Sequence, residues 1–299
     1  MEGYYHPRYA EAFAELGTPV YLPRAKGWLI KRPIPGTAFY DAMGPYPLFF
    51  CENWAALTED LEALKDELVS VTLVIDPLAN FSKESCAAYF EICKPYKDHY
   101  LLDLSVPLEQ SISKNRRKLA RRALRSLEVQ LQLAPAIDLE EWVGLYACLV
   151  ERHQIGGIRA FSRQSFASQI GIPNTHYFRV LQQGRCVGGN LYYVQGEVAY
   201  AHLSAFTEEG YAAGAPYAVK WAAIQHFSQS LRWMSFGGST GRKENELSGL
   251  DKFKQGWSNQ TGRSFFCAKI LSPSTYTALA ESCEAQNPGW FPAYRRGDF

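Results

Sequence analysis

Three strand-length segments, then one long helix, then one more strand limit what this chain can fold into. HYFRVLQ (His176 to Gln182), Cys186 to Val194 and the run ending AYAHLSAF at Phe206 are rich in β-branched and aromatic residues. Gln183-Gly184-Arg185 and Gln195-Gly196-Glu197 supply turns between them, so the three read as an antiparallel meander. APYAVKWAAIQHFSQSL then reads as a long helix and RWMSF as the next strand. TEEGYAAGA, between meander and helix, reads as a loop, and FFCAKIL as a late strand.

The first half mixes shorter elements. His6 to Gly17 reads as an amphipathic helix, TPVYL and GWLIKRPI as strands, and DAMGPYPLFFC as a loop leading into a strand. Thr58 is the expected cap of a helix carrying Leu61, Leu64 and Leu68. The β-branched run Val69 to Ile75 follows, then an expected helix over Ser82 to Lys94 and the strand HYLLDLS. EVQLQLA alternates as a strand, and Asp138 caps a helix from Leu139 to His153. The mixture defines an α+β fold. Its 299 residues suffice for two units, with a division expected between residues 134 and 135 and the basic helix 111–127 in the first. The closing stretch, ESCEAQNPGWFPAYRRGDF, carries little pattern and reads as a strapped-down or disordered tail.

Charge is distributed unevenly. Net charge is +1, yet Ser111 to Leu127 holds Lys114, Arg116, Arg117, Lys118, Arg121, Arg122 and Arg125 with no acid, which leaves the remainder at −6. That is a local anion site on a mildly acidic body. No apolar run reaches the ~20 residues of a membrane span. The start, MEGYYHPRYAEAF, lacks the basic and apolar regions of a signal peptide, so a cytoplasmic location is expected. The seven cysteines contain no C-x-x-C pair, so no metal site is expected and most should be reduced, partly buried thiols.

Gly237-Gly238-Ser239-Thr240-Gly241 spells G-x-S-x-G, the nucleophile elbow of serine hydrolases. An elbow needs a helix directly after the serine, and RKENELSG has no helical stripe. Its triad order also needs a later histidine, and all six histidines precede Ser239. The expectation is instead that Gly237 and Gly238 let the strand end turn sharply beside a ligand or beside Lys254.

Together, P-Y-x-x-x-W-x-x-I (Pro216 to Ile224), G-G-S (Gly237 to Ser239), G-L-D-K-F-K-Q-G-W (Gly249 to Trp257) and the upstream SKNRRKLARRAL resemble the Fem-type peptidyltransferases and their GNAT acyltransferase relatives. The likeness covers residues 90 to 270, and F-K-x-G-W is its most specific part. It implies two GNAT-like lobes and transfer of an acyl or aminoacyl group from an activated carrier to an amine. It also implies that Phe253 and Lys254 lie at the catalytic centre, where an ammonium steadies the oxyanion or the leaving oxygen.

The remaining site expectations follow the chemistry. His202 on the meander is a candidate base, expected on one face with Ser204, although a lone strand histidine is more often a satisfied polar group. Glu208 and Glu209 are alternatives, and Arg152 with His153 is a possible acceptor contact. Tyr211, Gly214, Ala215 and Ser204 would flank the donor, but Pro216 puts no N–H where a pyrophosphate-binding loop needs one, which weakens a CoA site. Arg116, Arg117 and Lys118 would hold phosphates, with Gly238 and Ser239 lining the substrate side. The expected donor is aminoacyl-tRNA, with acyl-CoA as the alternative and no tightly bound cofactor; the acceptor is an amine of a small molecule or peptide. The alternative of another class is a non-catalytic nucleic-acid-binding module, but the basic helix offers only Asn115 as a polar base reader.

Overall fold

The structure, a computed structural model, describes residues 1–79, 86, 89–240, 247–282 and 290–295. Eleven strands form one mixed sheet: β1 (Thr18–Leu22), β2 (Gly27–Pro33), β3 (Tyr40–Met43), β4 (Ser70–Ile75), β5 (Ile92–Asp103), β6 (Glu128–Leu133), β7 (Thr175–Gln182), β8 (Arg185–Gln195), β9 (Val198–Phe206), β10 (Trp233–Gly238) and β11 (Gln260–Ile270). Their order is β1-β2-β3-β4-β11-β5-β10-β9-β8-β7-β6. Two pairs are parallel, β3 with β4 and β9 with β10. The helices are α1 (Pro7–Glu11), α2 (Leu57–Glu62), α3 (Leu108–Ser111), α4 (Lys114–Ala123), α5 (Leu139–His153), α6 (Arg163–Ile170), α7 (Glu208–Ala213), α8 (Ala215–Phe227), α9 (Gly249–Gln255) and α10 (Pro273–Ser282).

The α+β class is as expected, and the meander is β7-β8-β9. The strands join in one sheet rather than two, and two elements cross the division expected at residue 134. Strand β6 pairs with β7, and β11 inserts between β4 and β5. Helices α4 and α8 cover one face of the sheet, burying Ala120, Ala123, Ala218, Val219 and Ile224 against Leu102, Met234 and Phe236. Helices α5 and α6 cover the other, with Trp142, Tyr146 and Phe166 on Tyr177, Leu191 and Ala205. Each fully buried large apolar side chain is worth about 2 kcal/mol of transfer free energy, so these two layers hold the second half rigid around its strands.

Several local expectations change. TEEGYAAGA is not a loop: Thr207 accepts the Gly210 N–H and starts α7. Its glycines suggested a loop, but a Cβ at Gly210 would lie 2.1 Å from the Val187 carbonyl oxygen, so the glycine is there for close packing. Thr58 does not cap α2; Ala56 holds that position, and the Thr58 hydroxyl is buried without a partner among the described residues. The helix expected over Ser82 to Lys94 falls partly on residues 82–85, 87 and 88, outside the described set, and β5 has already begun at Ile92. Cys86 and Cys93, the latter on β5, form a disulfide, an exception to the expected thiols. Of the tail, residues 283–289 and 296–299 lie outside the described residues. The intervening piece is strapped down: Tyr294 hydrogen-bonds Ser70 and Arg295 pairs with buried Asp41.

Candidate active site

The site is built where β10 ends and α9 begins. Gly237 has φ +79°, a left-handed conformation that favours glycine, and a Cβ there would lie 3.6 Å from the Lys254 Nζ. Gly238 continues over His99, whose Nε2 would be 3.0 Å from an added Cβ. Downstream, Ser248 caps α9 by accepting the Asp251 N–H. The buried Asp251 carboxylate accepts from the Thr240 N–H and from the Thr240 and Ser248 hydroxyls, at 3.2, 2.8 and 2.9 Å. This cap ties the helix start back to the strand end. The polar stretch RKENEL between them falls mainly on residues 241–246, outside the described residues.

Helix α9 then delivers the two motif residues in different directions. Lys254 Nζ donates to the Gly238 carbonyl at 2.8 Å. Phe253 packs edge-on against Tyr217 of α8 at 5.4 Å and against Trp257 at 6.2 Å. Burial, chiefly, and then the neighbouring charge of Lys220 bring the Lys254 pKa down to about 8, with Asp251 opposing. His99, on β5 between β10 and β11, is held neutral: burial above all, then Lys254 and Lys97, push it down to about 4. Its Nδ1 is buried without a partner among the described residues.

Other expected site residues gather less tightly. His202 is corrected away from this centre. Leu191 pairs with Leu203 and Tyr192 with Ala201, so His202 is the extra residue of a β-bulge. The bulge breaks the alternation that was expected to put His202 and Ser204 on one face. His202 lies among Tyr4, Tyr9 and Tyr193, with its ring nitrogens against Tyr4 Oη at 3.2 Å and Gln169 Oε1 at 2.8 Å, and burial lowers its pKa to about 3. Ser204 instead meets Asn190, whose amide, oriented so that both its ends are satisfied, donates to the Ser204 hydroxyl at 2.9 Å and accepts from Lys220 at 3.2 Å.

Arg116 is also corrected. Its guanidinium donates to Tyr217 Oη at 3.2 Å and to the Lys252 carbonyl at 3.0 Å, and stacks over Phe253, so it locks α4 to α8 and α9 and has little left for a phosphate. Arg117 donates to the Ile112 and Glu109 carbonyls while still lining the exposed cationic face. That face, a shallow depression of about 410 Å³, is bordered by Lys114, Arg117, Lys118, Arg121, Arg122 and Arg125. Five of them, all but Arg117, have no hydrogen-bonding or ion-pair partner among the described residues. Tyr211 of α7 lies under the Arg152 guanidinium at 4.5 Å. Gly214, at φ +83°, joins α7 to α8 and approaches Ala123 of the basic helix, and Ala215 is fully buried. Glu208 and Glu209 are exposed in the first turn of α7, Glu209 against Arg185.

Ser239 is fixed through its backbone, its N–H donating to the Asp98 carbonyl at 2.7 Å, and its hydroxyl meets no histidine among the described residues. Ser239→Ala is expected to leave turnover within about twofold, whereas Gly237→Ala, strained by about 1 kcal/mol or more at its positive φ and so shifting the turn that holds Lys254, lowers it at least tenfold. Steady-state rates of the two variants check this, and the opposite ranking revives a serine nucleophile.

Three buried groups escaped sequence reasoning: Lys220, His99 and Asp76. Asp76 follows β4 and accepts from Tyr200 Oη at 2.6 Å, and burial raises its carboxyl to about 6. Polar residues inside otherwise apolar runs were the available signal, seen in Lys220 within AVKWAA.

No family model matches the chain, and no curated protein matches it in sequence. Solved structures do match in fold. FemX aligns over 91% of this chain and 92% of its own, with TM-score 0.63 and 14% identity. L-PGS from Bacillus licheniformis aligns over 90% and 93%, with TM-score 0.61 and 13% identity. The C-terminal domain of a proposed lysylphosphatidylglycerol synthetase from Agrobacterium fabrum aligns over 91% and 96%, with TM-score 0.64 and 12% identity. The protein therefore has an α+β fold similar to that of FemX and L-PGS. Among the described residues no helix is long and apolar enough to cross a membrane.

Proposed function

We propose that the protein is an N-acyltransferase that forms an amide by moving an aminoacyl group from aminoacyl-tRNA to the amine of a small molecule or peptide. The observation that carries this reading is the Lys254 ammonium, drawn to the turn at Gly237 and Gly238, in a fold similar to that of FemX and L-PGS. Aminolysis of an ester needs a steadied oxyanion and a protonated leaving oxygen. Lys254 is mostly charged at neutral pH, and with its pKa near 8 it can also hand a proton to a leaving hydroxyl. His99, neutral and beside the same Gly238, is the candidate partner for the incoming amine in place of His202.

The choice of donor draws on two features. At the start of α8, Pro216 has no N–H, the Tyr217 N–H donates to the Gly214 carbonyl, and Ala215 is buried, so few donors remain for a CoA pyrophosphate. The partnerless cations of α4 instead suit a polyphosphate backbone. Lys118, Arg121, Arg122 and Arg125 are the phosphate contacts we favour, with Arg117 assisting and Arg116 serving structure. Phe253 and Tyr217 pack edge-on, with the Arg116 guanidinium of α4 over both rings.

The test is to supply a labelled acyl-CoA panel and charged tRNA, and to record which is consumed and whether ribonuclease stops transfer. Consumption of acyl-CoA with ribonuclease-resistant turnover would select the CoA alternative. Replacing Lys118, Arg121 and Arg122 with Glu is expected to weaken tRNA binding about tenfold or more and to reduce the slope of log K against log salt by about one per phosphate lost. Filter binding across a salt series measures both; an unchanged slope removes α4 from the donor site.

A further inference from the structure

Two lysines from different helices converge on one corner of the sheet. Lys254 reaches Gly238 from α9. Lys220 reaches Phe236, two residues earlier on β10, from α8, its Nζ 4.8 Å from the ring centroid. We propose that Lys220 is a positioning residue of the site, acting through its charge on Lys254. This rests on the reading of Lys254 as the group beside the reacting carbonyl, and concerns how that lysine is tuned.

Lys220 occupies a core position. It is 6% exposed, and its neighbours Ala218, Val219, Ala223 and Ile224 are fully buried. An apolar residue would serve the packing better, because a buried ammonium without a counter-ion is costly. Every group that meets Lys220 is neutral. Strand β8 offers Tyr192 Oη at 3.0 Å and the Asn190 amide oxygen at 3.2 Å; Asn190 in turn is held by Ser204 of β9. Strand β10 offers only the face of Phe236. The charged groups around Lys254 are Lys220, Lys97 of β5 and Asp251 of its own helix, and the Asp251 carboxylate is already engaged by Thr240 and Ser248. His99, also of β5, is neutral there. Among the described residues neither lysine has a salt bridge.

A corner that holds two lysines, with the Asp251 carboxylate engaged by Thr240 and Ser248, favours release of a proton from the pair. Burial brings Lys220 to about 7, and Lys220 is the second cause, after burial, that lowers Lys254. Both values lie below the unfolded lysine value, so between about 7 and 10.4 the unfolded chain binds more protons and stability rises with pH. The fraction of Lys220 that is protonated at neutral pH thus makes Lys254 a better proton donor there, as departure of a hydroxyl requires.

The experiment reads Lys254 itself. Trace acylation with acetic anhydride from pH 6 to 11, quantified by mass spectrometry of the Lys254 peptide, yields its titration midpoint in the wild type, Lys220→Met and Lys220→Arg. Because Lys220 titrates near 7, below Lys254, the decisive contrast is between the variants: Lys220→Arg, charged at every pH used, is expected to hold the midpoint about one pH unit below that of Lys220→Met. A purely structural Lys220 would change the melting temperature of both variants and leave the midpoint in place, which would overturn the proposal. A midpoint equal in Lys220→Met and Lys220→Arg overturns it; if Lys220→Arg does not fold, a Lys254 acylation profile of Lys220→Met identical to the wild type below pH 7, where Lys220 is charged, does so. If the midpoint moves but no donor supports transfer, the coupling stands and the reading of the reaction falls.

Discussion

Lys254→Met is expected to lower transfer by about 10²- to 10³-fold, the usual consequence of removing one preorganised group that faces developing negative charge. The substitution keeps the apolar stem and deletes the ammonium. The Gly238 carbonyl loses its 2.8 Å donor, a cost of about 1 kcal/mol, but a partly desolvated charge also disappears, so thermal stability should change little. This separation makes the result interpretable: turnover collapses while the melting curve and circular dichroism stay close to the wild type. The loss should fall on kcat at saturating donor and acceptor, because the ammonium is needed most in the transition state. Full activity in Lys254→Met would remove this lysine from the chemistry, and with it the reading of the Phe253-Lys254 pair.

The second large effect is on stability. Asp41 is fully buried between two guanidinium groups, Arg295 at 2.8 and 3.0 Å and Arg32 at 3.1 and 3.2 Å. Arg295 also donates to the Pro33 carbonyl at 2.6 Å, which fastens the end of the chain to β2 and β3. Asp41→Ala would leave two buried cations facing each other without the carboxylate. Removing one partner of a buried charge cluster typically costs about 3–5 kcal/mol, or about 10 °C in melting temperature for a chain of this size. Arg295→Met should cost less, since the Arg32–Asp41 pair survives. Differential scanning calorimetry of both variants ranks them; a loss below about 1 kcal/mol in Asp41→Ala would mean that water reaches the cluster.

Much of the site was legible from local sequence. Lys254 and Phe253 stood out because F-K-x-G-W is a specific pattern, and Gly237 with Gly238 because paired glycines at a strand end mark a turn that other residues resist. The cations of α4 were visible as a run without acids. What stayed hidden depended on pairing between distant segments. His202 was misjudged because strict alternation holds only until a bulge, and the bulge is a property of how β8 and β9 register. Arg116 looked like one phosphate ligand among several, yet the closeness of α8 and α9 gives its guanidinium two protein acceptors. His99 lay in an ordinary strand pattern, and only its position between β10 and β11 brings it under Gly238.

The sequence by itself determined the α+β class, the meander with its following helix, the glycine turn and the cationic helix, because these follow from side-chain periodicity, turn chemistry and charge within a few residues. Tertiary structure alone decided that β11 threads between β4 and β5, that Arg295 pins the chain end to Asp41, and that Lys220 and Lys254 meet at one corner. Those outcomes arise when segments far apart in the chain are pressed together, so that burial, not neighbouring sequence, sets which polar groups must find each other.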